Sequence, residues 1–163
     1  MDFQKQSIKT SVVACIIDEQ GRVLLTRRGI EPFSGQWVMP GGKVDHGEPL
    51  LEALHREVRE EVGIEVRIDG LLDVYEHVAY GHRRDHYVIL YYRAHPLTSD
   101  LQANASEVTE ADWVPVERLS AYDMTPGTRH ILALVYPGRL PDPGQPSDEL
   151  ASRNQAMLNG HGS

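Results

Sequence analysis

Between Gly42 and Ile64 the chain reads GKVDHGEPLLEALHREVREEVGI, and this stretch limits the possible fold more than any other. Its second half predicts a helix from Pro49 to Val62. Proline suits the first helical turn, where its missing N–H has no partner to lose. Gly63 suits the position just past the end, where φ is commonly positive. Leu51, Leu54, Val58 and Val62 recur at spacings of three and four, so they share one face, and that face must pack on a core.

A second face works against helix stability. Glu57, Glu60 and Glu61 stand at i, i+3 and i+4, so three carboxylates project together. Like charges at this spacing cost about 0.2–0.5 kcal/mol per pair. Glu60 and Glu61 also sit in the last turn, where the helix dipole favours cations. One reading is a solvated acidic face. The other is a hard-cation site, because clustered carboxylate oxygens suit Mg²⁺ or Mn²⁺ and the ion would remove the repulsion. Just upstream, Pro40-Gly41-Gly42 makes a tight turn in which backbone carbonyls can come close to a ligand. Arg56 has Glu52 one turn before it and Glu60 one turn after, so both are ion-pair partners at i±4.

The spacing Gly42-x5-Glu48-x7-Arg56-Glu57-Val58-x-Glu60-Glu61-x-Gly63-Ile64 resembles a complete Nudix box, and Gly35-Gln36-Trp37-Val38-Met39-Pro40-Gly41 is similar to the usual lead-in. The resemblance spans Lys9 to Tyr136. It implies an α/β fold, an α/β/α sandwich with a mixed β-sheet between helices. It implies Mg²⁺-dependent cleavage of a diphosphate bond in a nucleoside diphosphate linked to a second group. Glu57, Glu60 and Glu61 would be the metal ligands, with the carbonyl of Gly41. Glu48, Gly42 and Arg56 would support and orient them. The general base would be one of the box glutamates or an acid on a distant loop, for which Glu107 and Glu110 are the candidates. Two alternatives accompany this reading: a nucleoside triphosphate pyrophosphohydrolase, and a non-catalytic domain that senses nucleotides.

Composition narrows the setting. The 163 residues suffice for one domain with a good core. A net charge of −8 argues against nucleic acid or an anionic membrane as partner. It also poses a problem for binding anionic phosphates, which a metal would answer locally. The single cysteine, Cys15, cannot close an internal disulfide, which fits a reducing cytoplasm, and its apolar surroundings suggest core filler rather than a nucleophile. No apolar run reaches the ~20 residues of a membrane span.

Taken in order, Lys9–Ile17 and Arg22–Thr26 predict a β-hairpin around an Asp18–Gly21 turn. Arg27 and Arg28 then end the apolar pattern, either as a solvated strand end or as phosphate ligands, for which guanidinium forks are suited. Trp37–Met39 predicts a short strand. Val66–Val78 is extended with a break at Asp69-Gly70. His86–Ala94 predicts a strand covered on both faces, because it is nearly all apolar. Pro96–Thr109 reads as a polar loop, Asp112–Pro115 as a strand, and Pro126–Tyr136 as a helix with Thr125 as N-cap.

The domain therefore covers residues 1–137. Residues 138–163 read as a proline-rich linker and tail. Ser147–Asn159 suits a short helix that docks on the domain, exchanges onto a partner subunit in a homodimer, or stays disordered. Substrate contacts are expected from Arg27, Arg28, Tyr80, Arg83 and Arg84, since tyrosine can stack on a base and arginine can hold phosphate. The Pro-Phe-x-Gly-x-Trp lead-in and the Met124–Arg129 segment resemble the ADP-ribose and sugar-nucleotide branch of the family. The expected substrate is thus a small nucleotide of that kind.

Overall fold

The computed structural model describes residues 7–79, 85–104 and 106–145. Among the described residues, seven strands and two α-helices follow in the order β1 (Lys9–Ile16), β2 (Val23–Arg28), β3 (Trp37–Val38), β4 (Gly41–Lys43), α1 (Leu50–Val62), β5 (Val66–Val78), β6 (His86–Pro96), β7 (Val108–Val114) and α2 (Pro126–Val135), with a 3₁₀ turn at Val116–Ala121. The strands form two sheets, one of order β4-β1-β6-β5 and one of order β3-β2-β7. The first is mixed, since β1 runs parallel to β6 and antiparallel to β4. Among the described residues no helix is long and apolar enough to cross a membrane.

Alternation along β1 creates two cores. Val12, Ala14 and Ile16 point to one side, where they pack with Leu24 of β2 and with Ala53, Leu54, Val58 and Val62 of α1. Cys15 and Ile17 point to the other, with Val23 and Leu25 of β2 and Ile131 and Leu132 of α2. A helix thus covers each face, giving the expected α/β/α layering. Cys15 is fully buried, and burial pushes its thiol up to about 12 against a small opposing pull from Arg93, so it is core filler rather than a nucleophile.

Helix α1 begins after Pro49 and ends at Gly63, whose φ of 71° is the left-handed value expected there. Its buried stripe differs in one respect from the sequence pattern. Leu51 is 46% exposed, while Ala53 is buried together with Glu57 and Glu61. The helix is therefore rolled so that two of its glutamates lie at the border of the core.

The β1–β2 hairpin does not form as one ladder. The turn is as expected: Asp18 accepts hydrogen bonds from the backbone N–H groups of Gln20 and Arg22. Beyond the single bridge Ile17–Val23, however, the strands diverge into separate sheets, because each finds two other neighbours. Strand β6 is not covered on both faces either. Tyr91 and Ala94 are buried, but the residues from His86 to Leu90 are half-buried, since one face of the strand borders an open cavity. Strand β5 is continuous through Asp69-Gly70, where the break expected from sequence is a shift of register against β6. Strand β7 starts at Val108, earlier than expected, because it pairs with the whole length of β2 as far as Arg28.

Residues 138–145 lie against the domain. Leu140 packs on the α2 core. His130 of α2 is held between Asp142 and Asp73 of β5, with both ring nitrogens 2.9 Å from a carboxylate oxygen, and Gln145 donates to Asp73 at 3.0 Å. The expected Ser147–Asn159 helix lies outside the described residues. Burial opposes a charge on His130, but the two carboxylates outweigh it and raise its pKa above the ordinary histidine value. Such a group stabilises fully below about pH 6.5 and loses its contribution as pH rises through the higher folded value. The melting-temperature gap between wild type and Asp142→Asn is therefore expected to be larger at pH 6 than at pH 8.5. Thermal melts at the two pH values measure it.

Candidate active site

Two glycines of β4 shape the site. A Cβ on Gly41 would collide with the Val12 carbonyl oxygen and the Val13 backbone, so only glycine lets β4 lie this close to β1. A Cβ on Gly42 would occupy the place of the Glu57 carboxyl group. The missing side chain thus makes room for the acid, which reaches over from α1.

Arg56 fixes that acid. Its Nε and Nη2 hold Glu48 in a two-pronged pair at 2.7 and 2.9 Å. Its Nη1 donates to Glu57 at 3.0 Å and to Glu60 at 3.2 Å, and its Nη2 also reaches the Lys43 carbonyl. The i+4 pair with Glu60 is as expected. Its other carboxylate partners are Glu48, Glu57 and, at 3.6 Å, Asp45, and Glu52 is not among them within the described residues. The hydrogen bond from Arg56 holds the Glu48 carboxyl below the usual range.

Glu57 and Glu61 are 8% and 9% exposed, low values for carboxylates. Burial raises both pKa values. For Glu57 the Arg56 contact opposes the rise. For Glu61 the Gly41 N–H at 3.3 Å and the Arg28 charge oppose the rise, while Glu57 and Glu107 repel its charge, and it is pushed up to about 8. Both acids open onto a cavity of about 400 Å³ enclosed by the two sheets, the β2–β3 loop and the start of α2.

The cavity sorts the residues singled out from sequence. Arg28, Gly41, Gly42, Glu57, Glu61 and Glu107 line it. Arg27 and Glu110 do not. Being paired on adjacent strands, they form a 3.5 Å ion pair with each other, and Arg27 Nε donates to the Gly35 carbonyl. Alternation along β2 turns successive residues to opposite faces, so only one of the two arginines can face the cavity. The Glu60 side chain is 55% exposed and turned to Arg56. Tyr80, Arg83 and Arg84 lie outside the described residues.

Sequence reasoning missed Lys9, Lys43, His77 and Tyr87 as lining residues, and it used Phe33 and Thr125–Thr128, which line the cavity too, only as marks of a family branch. The Lys9 and Lys43 ammonium groups stand 5.4 and 6.0 Å from the centre of the Tyr87 ring. The available signal was period-two alternation. Lys9, Ser11 and Val13 share one face of β1, and Tyr87, Ile89 and Tyr91 share one face of β6.

Among the described residues no group of three carboxylate, imidazole or thiol side chains closes around a cation by itself. The donor set nevertheless fits a hard dication. Two carboxylates lie buried beside a backbone turn, their pKa values raised by that burial, and hard dications complete their shells with water and carbonyl oxygens. A carboxyl raised to about 8 leaves the folded protein holding a proton that the unfolded chain releases near pH 4.3. Metal-free stability therefore falls as pH rises from about 4.3 to 8. Glu61→Gln mimics the protonated form. In chelator, its melting temperature should match wild type at pH 4.5 and exceed it at pH 8, while added Mg²⁺ should stabilise wild type only. Melting curves with and without the ion give the answer.

Comparison with known proteins identifies the family. A family model described as NUDIX domain matches residues 8–135. The nucleoside triphosphatase NudI of Salmonella agona is 34% identical over 136 residues, covering 76% of this chain and 94% of that protein. A MutT NUDIX hydrolase from Burkholderia pseudomallei superposes with a TM-score of 0.73 at 31% identity, covering 80% of this chain and 99% of its own. The NUDIX domain of Shewanella oneidensis NrtR, solved with ADP ribose, shares the fold at a TM-score of 0.68 and 20% identity, covering 83% of this chain and 92% of its own. The matched residues include the strand of Gly41 and Gly42 and the helix of Glu57 and Glu61, and the chain belongs to the Nudix hydrolase family.

Proposed function

We propose that the chain is a divalent-cation-dependent nucleotide pyrophosphohydrolase, and that its substrate is a nucleoside triphosphate. The observation that carries the substrate class is the set of fixed cations on the cavity wall. The sequence pointed to arginine pairs alone, which suits a diphosphate bridge. The cavity instead presents Lys9, Arg28 and Lys43 together. A triphosphate brings about twice the negative charge of a diphosphate bridge, and three cations beside a metal suit that load. The name of the relative from Salmonella agona supports the same choice.

Glu57 and Glu61, with the Gly41 carbonyl, are the groups that would hold Mg²⁺, or Mn²⁺ in its place, and Glu60 would join them on leaving its Arg56 contact. When bound, the ion lowers the pKa of water and neutralises phosphoryl oxygens. The chain's own residues do the rest. Arg56, anchored on Glu48, keeps Glu57 in one orientation. Glu107, which lines the cavity, would take the proton of the attacking water, whereas Glu110 pairs with Arg27 outside it. Arg28 holds a phosphate oxygen. Its Nε is tied to the Pro32 carbonyl at 2.7 Å, which leaves its terminal nitrogens for the ligand.

A second reading, the diphosphate-linked nucleotide, is favoured by a separate observation. Phe33 of the lead-in and Thr125–Thr128 of the segment before α2 both reach the cavity wall. These are the segments that resemble the ADP-ribose and sugar-nucleotide branch.

Turnover with Mg²⁺ across nucleoside triphosphates, ADP-ribose, sugar nucleotides and dinucleoside polyphosphates separates the two. We expect kcat/KM for a triphosphate to exceed that for every diphosphate-linked compound by at least about tenfold, the worth of one charged hydrogen bond. The opposite ranking would establish the second reading. Glu107→Gln should lower kcat by about 10²-fold or more with little change in KM. Lys43→Ala should raise KM by about tenfold.

A further inference from the structure

Glu107 lines the cavity yet is an exposed residue, and among the described residues no hydrogen bond or ion pair holds its carboxylate. A carboxylate left free in this way can accept from a water. Its position is then set by its backbone. That backbone is tied on both sides. The Glu107 carbonyl accepts the Gly29 N–H at 2.8 Å, just beyond Arg28 at the end of β2. The Glu107 N–H donates to the Asn104 carbonyl at 3.3 Å, and the Val108 N–H donates to the same carbonyl at 3.0 Å.

Asn104 is tied in turn to α1. The last four carbonyls of a helix have no partner within it. Here the Gln102 N–H donates to the Val62 carbonyl and the Asn104 N–H to the Glu61 carbonyl, each at 2.9 Å. Leu101 packs on the core shared with α1. Gly63 admits the segment closely, since a Cβ there would lie 3.3 Å from the Gln102 Cβ. The Asn104 side chain closes the arrangement. Its Oδ1 accepts the Ser106 N–H at 3.2 Å and the Ser106 hydroxyl at 3.0 Å. An asparagine oxygen that accepts from the N–H two residues on holds a local turn. One residue thus stands between the backbone of Glu61 and the backbone of Glu107.

We infer that Asn104 is a positioning residue for hydrolysis: its side chain fixes the turn that sets the Glu107 carboxylate relative to Glu61. The inference rests on the proposed reading of Glu107 as the group that takes the proton of the attacking water. Such a group must stay within hydrogen-bond reach of that water. A misplacement of about 1 Å can cost about 10²-fold in rate. The backbone bonds of Asn104 survive a change of side chain, so substitution isolates the contribution of Oδ1. The Asn104 amide nitrogen has no partner among the described residues, so an aspartate oxygen can serve in the same place.

Steady-state kinetics of the full chain with Mg²⁺ on ATP, CTP, GTP, UTP and ADP-ribose test it, each variant being read on the compound that wild type turns over fastest. Asn104→Ala should lower kcat by about tenfold or more and leave KM within about twofold. Asn104→Asp should restore kcat to within about threefold of wild type, because it keeps the acceptor. With Glu107→Gln already in place, Asn104→Ala should lower kcat by less than about twofold further, since the two changes act on one step. The rise in melting temperature on adding Mg²⁺ should be the same in Asn104→Ala as in wild type, which shows a folded chain with its metal site intact. Wild-type kcat in Asn104→Ala would overturn the inference and leave the role of Glu107 standing. Equal losses in the alanine and aspartate variants would also overturn it, as would a loss that repeats in full beside Glu107→Gln. Wild-type kcat in Glu107→Gln, or no turnover of any of the five compounds, would remove the proposed reading and this inference with it.

Discussion

The Glu57 carboxyl group sits where the side chain of residue 42 would otherwise be, and Arg56 pins it there. Much else follows from this contact. For the acid to reach the glycine, α1 must be rolled so that Glu57 and Glu61 flank its apolar stripe, and this roll leaves Leu51 exposed. For the glycine to be within reach, β4 must lie tight on β1, which Gly41 permits. Helix, edge strand and central strand are thereby fixed relative to one another by a polar contact at the rim of a hydrophobic core. The core itself is ordinary, with Leu54, Val58 and Val62 against Val12, Ala14 and Ile16. It sets the distance between helix and sheet, and the Arg56 fork sets the rotation.

The split into two sheets creates the cavity. Had β1 and β2 stayed a hairpin, one continuous sheet would have run beneath α1 and α2. Instead β1 takes β6 as its parallel neighbour and β2 takes β7, and the sheets part with the acids at their junction. Glu107 arrives at the junction because β7 extends back to Val108 along β2. Glu57 and Glu61 of α1 and Glu107 beside β7 thereby line one cavity although they come from separate elements.

How much of this was legible in the sequence depended on the range of the interaction. Helix α1, its caps, the acidic cluster and the family were readable because they are local, with spacings of three and four in one continuous segment. Most strands were found, since alternating or apolar runs are also local. Failures came where a partner distant in sequence decides. The β1–β2 hairpin pattern is sound locally, but β6 outcompetes it for the β1 edge. The apolar run of β6 predicts burial on both faces, but Tyr87 and Ile89 spend one face on a cavity rather than on a core. Arg27 and Arg28 look equivalent in sequence, and only the register with Glu110 separates them. Lys9 and Lys43 carry no motif for substrate contact. What brings them together is their position on neighbouring strands of one sheet.

The steric exchange between positions 42 and 57 couples their substitution histories. Any residue larger than glycine at 42 collides with the glutamate, so position 42 can change only after position 57 has shortened. Once Glu57 is gone the glycine is no longer constrained by it, whereas Gly41, wedged against backbone, remains constrained for the sake of the fold. In a lineage abandoning catalysis, position 42 should therefore drift soon after position 57, while position 41 stays fixed for as long as the sheet persists. The order in which these two neighbours vary distinguishes decay of the chemistry from decay of the scaffold.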